Sequence, residues 1–213
     1  MKEIQNRVLT SIPLLIILYF SLINNVILTI VLFLIVFLLF SEFFNIIKKI
    51  FKKNKLLTLI FSSLLLIYLF YFSLSILFFL NSDLIDNKIL FIFIISICIF
   101  TDVGGYVVGK LFKGKKLTSI SPNKTYSGMI GSFVFSITIS IIFFSKIDIS
   151  LNYILIAFLI SFTSQAGDLF ISFLKRRAKI KNTGYFLPGH GGLLDRLDGI
   201  LLAIPVGLFL VSF

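Results

Sequence analysis

The sequence predicts an all-α polytopic membrane protein, with about seven transmembrane helices and a polar pocket that faces the cytoplasm. Three observations carry that expectation. Hydrophobic residues make up 58% of the 213 residues and charged residues only 14%, with 27 Phe and no Trp, whereas soluble domains use roughly 45–50% apolar residues. Apolar runs close to the roughly 20 residues needed to cross a bilayer recur along the chain, without the period-2 alternation of strands. Helices rather than a barrel therefore satisfy the backbone in lipid. Lysine and arginine collect in blocks between those runs, as they do in the cytoplasmic loops of membrane proteins.

Seven spans are read, at 8–23, 26–47, 56–80, 89–109, 127–145, 151–174 and 193–213. The first follows Arg7 and lacks an A-x-A-like cleavage site after it, so it is expected to be a retained helix rather than a removed signal. Asn24 and Asn25 supply its turn, and Val26 to Ile47 read as an unbroken second crossing. Basic blocks then follow at 48–55, 110–125 and 175–192; with Lys2, Arg7 and Arg196 they hold 18 of the 20 Lys and Arg residues, leaving Lys88 and Lys146 for the opposite side. The positive-inside rule places the amino terminus and the three basic loops in the cytoplasm of a bacterial-type cell. No repeat or long linker divides the chain, so it reads as a single membrane domain, with amino-terminal helices over 1–99 and a chemistry-bearing region over 100–213.

Several functions are disfavoured by the same reading. The net charge of +11 does not point to nucleic acid, because the basic residues are not interleaved with aromatics on a soluble surface. Cys98 is the single cysteine, so neither a disulfide framework nor a cysteine metal cluster is available, and it reads as a small buried hydrophobe. There is no GxxxxGK[ST] loop, no GxGxxG after a strand, no H-E-x-x-H helix and no G-x-S-x-G elbow.

Chemistry is expected where acids meet the spans. Asp102, Asp168, Asp195 and Asp198 fall inside or beside apolar runs, where a carboxylate costs about 2.5–3.5 kcal/mol at a helix centre on insertion scales. The assigned topology gathers all four near the cytoplasmic edge. Glycines interrupt the same stretches at Gly104, Gly105, Gly109, Gly167, Gly189, Gly191 and Gly192, which allows either close approach of a ligand or close helix packing. Lys124, Lys175, Arg176, Arg177, Lys179, Lys181, His190 and Arg196 stand nearby in sequence. Carboxylates beside cations suit a hard divalent ion with a polyphosphate. For Arg177 and Lys179, attraction to anionic lipid headgroups is an equal reading.

Three motifs carry a family resemblance. Ser172-Phe-Leu-Lys175-Arg176 through Lys181, Leu187-Pro-Gly-His190-Gly-Gly and Leu194-Asp195-Arg196-Leu-Asp198 resemble the carboxy-terminal signature of phosphatidate cytidylyltransferases, the CDP-diacylglycerol synthases. Upstream, Thr101-Asp102-Val-Gly-Gly-Tyr106, Gly109-Lys110 and Ser121-Pro122-Asn-Lys124-Thr125 with Gly128 resemble the same family in the same order. The likeness covers roughly residues 100 to 205, and two positions depart from it: Asn182 stands where the family has Asp, and Ile171 where bacterial members often carry Glu.

That resemblance implies transfer of a cytidylyl group from CTP to phosphatidate at the cytoplasmic face, with magnesium and room for a second cation. It implies Asp168 and Asp195 as metal ligands, Lys124, Lys175, Arg176, His190 and Arg196 as the phosphate-facing set, and Asp102 and Ser121 as polar pocket members. Lys181 joins Asp102, Ser121 and Lys124 as a candidate nucleotide-binding residue. The partners expected are CTP, phosphatidate and membrane lipid; a homodimer is allowed, not required. A CTP-dependent polyprenol kinase or an isoprenoid ether-lipid cytidylyltransferase is the alternative enzyme. A transporter of a phosphorylated solute is disfavoured, since its polar groups would run through the full bilayer depth.

Overall fold

The computed structural model describes residues 2–52, 54–81, 85–144, 151–184 and 191–212, with backbone alone for 2–12, 85 and 151. The described residues form eight helices: α1 (Lys2–Ile23), α2 (Asn25–Ile50), α3 (Lys55–Asn81), α4 (Ile85–Phe112), α5 (Tyr126–Phe144), α6 (Leu151–Arg177), α7 (Leu194–Leu197) and α8 (Ile200–Val211). The chain is an integral membrane protein: five of these helices, α2 to α6, are long and apolar enough to cross a bilayer.

The first expected span lies within α1, while the last differs from the reading: the run at 193–213 is broken into α7 and the 12-residue α8. At about 1.5 Å per residue, α8 is shorter than the roughly 30 Å hydrocarbon core. The break lies at Asp198 and Gly199, where the Gly199 N–H donates to Asp198 Oδ1 at 2.9 Å. A side-chain Cβ on Gly199 would sit 2.6 Å from Ser164 Oγ and 3.0 Å from Ser164 O, so the glycine brings this stretch close against α6.

The helices fall into two compact units. One comprises Met1–Leu84 with Leu174–Leu197, that is α1, α2, α3, the last turn of α6, and α7. Asn24 starts α2 by accepting from Val26 N at 2.8 Å and Ile27 N at 3.3 Å, an N-cap that satisfies two otherwise unpaired donors. At the far end of the α2–α3 pair, Asn25 Nδ2 donates to Asn81 Oδ1 at 2.8 Å, which closes the two helices as antiparallel neighbours. Leu28, Leu32, Leu39, Phe43 and Ile46 form the buried stripe of α2, while Phe33 and Phe37 face outward, the amphipathy of a helix with protein on one side and lipid on the other.

The last turn of α6 ends in a Schellman motif. Ile180 N donates to Lys175 O at 3.0 Å and Lys179 N to Arg176 O at 3.1 Å, with Lys179 in the left-handed region at φ 55°.

The other unit comprises Ile85–Phe173 with Asp198–Phe213. Its α4 and α5 pack through small residues. A Cβ on Gly105 would meet Ser132 Oγ at 2.7 Å, and one on Gly131 would meet Gly104 O at 2.8 Å, so the backbones approach more closely than larger residues permit. Hydroxyl groups join the helices: Ser132 Oγ donates to Thr101 O at 2.8 Å, and Thr101 Oγ1 to Ser161 Oγ at 3.0 Å, linking α5, α4 and α6. Phe93, Ile94, Ile97 and Ile160 complete the core of this unit.

Candidate active site

In the second unit, the α4–α5 connection is shaped to present Lys124. Leu117 N donates to Lys124 O at 2.8 Å and Tyr126 N to Lys115 O at 3.0 Å, pairing the two arms of the loop. Lys124 N donates to Ser121 O at 3.1 Å, so Ser121 acts through its carbonyl in the turn before the lysine. Thr125 Oγ1 accepts from Gly128 N at 3.1 Å and starts α5. The Lys124 ammonium then forms an ion pair with Asp168 Oδ2 on α6, both side chains about one quarter exposed.

Asp168 has further neighbours in this unit. Ser172 Oγ lies 3.4 Å from Asp168 Oδ1, one turn on along α6. Asp102, exposed on α4, interacts electrostatically with both Asp168 and Lys124. Gly167 explains the residue before Asp168: a Cβ there would stand 2.7 Å from Asp198 O, so the glycine lets α6 cross the backbone before α8.

In the first unit, Lys175 Nζ donates to Asp195 Oδ1 at 2.8 Å, with 14% and 13% of the two side chains exposed. Asp195 Oδ2 accepts from Thr183 N at 2.9 Å and Gly192 N at 3.2 Å. Burial pushes the Asp195 carboxyl upward, but the Lys175 hydrogen bond, the Thr183 and Gly192 N–H groups and the Lys175 charge outweigh it and hold the carboxyl below its usual range. Gly191 adopts φ 84°, a conformation that favours glycine. Gly192 has no room for a side chain, since a Cβ would strike Thr183 Oγ1 and Glu42 Oε2.

Of the expected site residues, the structure therefore brings together Lys124 with Asp168, beside Asp102, and Lys175 with Asp195. Arg176, Lys181 and Arg196 are exposed, Arg176 in the last turn of α6 and Arg196 in α7. His190 lies outside the described residues. Of the two departures from the family pattern, Ile171 is buried at 3% exposure and Asn182 is exposed.

One residue was missed. Glu42 lies within α2, the continuous helix of the second expected crossing, and it is buried with its carboxylate against Thr183, Leu193 and Leu194. Its signal was present: a carboxylate inside an apolar run requires partners.

Among the described residues no group of three or more His, Cys, Asp or Glu side chains stands close enough to hold a metal ion. The donor set of Asp102 and Asp168 still fits magnesium, which commonly takes one or two carboxylates and completes its shell with water and phosphate oxygens. Asp195 fits less well, because Oδ2 already accepts two backbone N–H groups and Oδ1 is paired with Lys175.

Comparison with known proteins agrees with the motifs. A model of the cytidylyltransferase family matches residues 58–213. The chain is similar to the phosphatidate cytidylyltransferase of Bacillus subtilis, 42% identical over 116 residues, which is 53% of this chain and 43% of that protein. It is 40% identical over 110 residues to that of Staphylococcus haemolyticus, covering 50% and 42% of the two chains. With that of Rickettsia bellii the identity is 37% over 152 residues, covering 64% and 63%. The chain spans about half the length of the curated relatives it matches.

Proposed function

Because the chain belongs to the cytidylyltransferase family, we propose that it transfers a cytidylyl group from CTP to phosphatidate, releasing pyrophosphate and leaving CDP-diacylglycerol in the membrane. The observation that carries the reading is the Lys124–Asp168 ion pair, which sets a cation and a carboxylate together within the family-matched stretch. Relatives named phosphatidate cytidylyltransferase support the choice of substrates.

The acceptor is a phosphate monoester with a second pKa near 6, so it is largely dianionic at pH 7 and attacks without a strong base. One of its oxygens forms a bond to the α-phosphorus of CTP as the bond from that phosphorus to the β-phosphate oxygen breaks. Pyrophosphate departs with the bonding electrons. What the protein supplies is alignment and neutralisation of the negative charge developing on the leaving group.

Lys124 and Lys175 are the proposed phosphate-binding cations, joined by Arg176, His190 and Arg196. Each lysine rests against a carboxylate until phosphate oxygens compete for it. Asp168, with Asp102 beside it, would hold magnesium, while Asp195, with both oxygens already engaged, would hold Lys175 in place. Bound magnesium would withdraw charge from the phosphate oxygens. Ser121 positions Lys124 through its carbonyl, and Lys181 is a further proposed nucleotide-binding residue. The charge distribution along the chain supports a reaction at the cytoplasmic edge, where a soluble nucleotide meets a lipid whose acyl chains stay in the bilayer.

The test uses purified protein, magnesium, phosphatidate and CTP labelled at either the α- or the γ-phosphate. Label from the α position should appear in lipid, with stoichiometric pyrophosphate. Transfer of γ-label would overturn the cytidylyl reading in favour of a lipid kinase.

A further inference from the structure

Glu42 lies near the end of α2 that carries Lys48 and Lys49, yet its partners come from far along the chain. Its side chain is buried, at 6% exposure. Thr183 Oγ1 donates to Glu42 Oε2 at 2.6 Å, Leu193 N to Oε1 at 2.9 Å and Leu194 N to Oε2 at 3.0 Å, across separations of 141, 151 and 152 residues. The leucine N–H groups stand at the start of α7, where a helix has no internal acceptor for them. A buried carboxylate is costly unless its oxygens are hydrogen-bonded, and here both are.

The surrounding chain is cut to fit this carboxylate. A Cβ on Gly184 would sit 2.8 Å from Glu42 Oε1, and one on Gly192 would strike Oε2. Larger residues at either position would expel the carboxylate from its donors. The same segments also hold Asp195, whose Oδ2 accepts from Thr183 N and Gly192 N. Thr183 Oγ1 lies 3.1 Å from Asp195 Oδ2 as well, but its single proton serves one acceptor at a time. Two carboxylates therefore grip the same pieces of backbone, Glu42 from α2 and Asp195 from α7.

We propose that Glu42 is a positioning residue for cytidylyl transfer: by fixing Thr183, Leu193 and Leu194 it sets the place of the Asp195 carboxylate that pairs with Lys175. The kinetic part of this inference rests on the proposed transferase activity; the structural part rests on the hydrogen bonds alone. Glu42 touches no reacting atom. Its loss leaves two N–H groups without their acceptor and frees the Thr183 hydroxyl to turn toward Asp195, so the Lys175–Asp195 pair shifts.

The experiment compares full-length wild type, Glu42→Gln, Thr183→Val and the variant carrying both in phosphatidate-containing micelles. Amide hydrogen exchange is read at Thr183, Leu193 and Leu194, together with thermal unfolding and kcat and KM for each substrate per folded molecule. In Glu42→Gln the amide keeps one acceptor oxygen, so exchange should accelerate at whichever of Leu193 and Leu194 faces the NH2 group, and kcat should fall by roughly 10-fold or more, with KM for phosphatidate unmoved and unfolding still cooperative. The double variant should be little worse than Glu42→Gln alone, because the two groups act through one bond. Unchanged exchange would overturn the proposal, and so would faster exchange with wild-type kcat. If Glu42→Gln does not fold, Thr183→Val decides in its place: kcat should fall several-fold, and wild-type kcat would overturn the proposal. Absence of cytidylyl transfer by the wild type would count against the activity, leaving exchange to decide whether Glu42 holds these groups.

Discussion

Lys175 Nζ meets Asp195 Oδ1 at 2.8 Å, so the last turn of α6 is joined to α7 by a pair whose side chains are only 14% and 13% exposed. Removing one partner leaves the other charge poorly solvated. Asp195→Asn should cut kcat/KM for CTP by on the order of 100-fold while the protein still inserts in the membrane. Lys175→Met should raise the CTP requirement, and the double variant should lose less than the sum of the two. Steady-state kinetics on the four proteins checks this; additive losses would argue that the pair does not act as a unit.

The same carboxyl makes stability depend on pH. Its folded value lies below its usual range, so between the two values the unfolded chain binds more protons than the folded one, and stability rises with pH there. The contribution is complete above the unfolded value of about 3.9 and is lost as pH falls through the lower folded value. Thermal midpoints should therefore separate wild type from Asp195→Asn near neutral pH and converge in acid. A constant difference down to the acid limit would contradict the assignment.

Lys124 and Asp168 make a second, separately testable pair. Asp168→Asn should nearly abolish turnover without impairing insertion, and Lys124→Met should raise KM for CTP roughly 10-fold, the loss of about one charge-assisted contact. Titrating magnesium separates the two roles. Asp168→Asn should shift the magnesium requirement upward, whereas Lys124→Met should leave it in place.

Gly167→Ala tests the crossing beside Asp168. A methyl there would lie 2.7 Å from Asp198 O and 3.3 Å from Gly199 Cα, and backbone atoms cannot rotate aside. Destabilisation of about 1–3 kcal/mol is expected, with lower activity even in the folded fraction because the following Asp168 must move. Thermal unfolding and kcat per folded molecule read the two effects; wild-type values for both would show that the crossing tolerates a side chain.

The long helices were legible because few charged residues interrupt their apolar runs. The span read at 56–80 is observed as Lys55–Asn81 and that at 89–109 as Ile85–Phe112, the additions including Asp86, Asn87, Lys88 and Lys110, polar residues that hydropathy alone leaves out of a span. The run at 193–213 was read as one span because its apolar tail dominates the window; the break at Asp198 and Gly199 depends on contact with Ser164, which is tertiary information. Asp168 and Asp195 stood out as charges in the wrong solvent. Which lysine meets which acid did not, since Lys124 and Asp168 are far apart in sequence. Glu42 was hidden by the strength of its own span and by partners as distant as 152 residues.

The hydroxyl links through Thr101, Ser132 and Ser161 bear on how this protein tolerates change over time. In lipid, helices gain little by hiding oily surface from one another, so register depends on small groups and short polar bonds. Outward rings such as Phe33, Phe37, Phe78 and Phe162 are more than half exposed and answer mainly to the acyl chains around them. The bulky coat is free to drift among oily residues, while the modest serines and threonines beneath it are the positions where a single methyl decides whether the assembly holds.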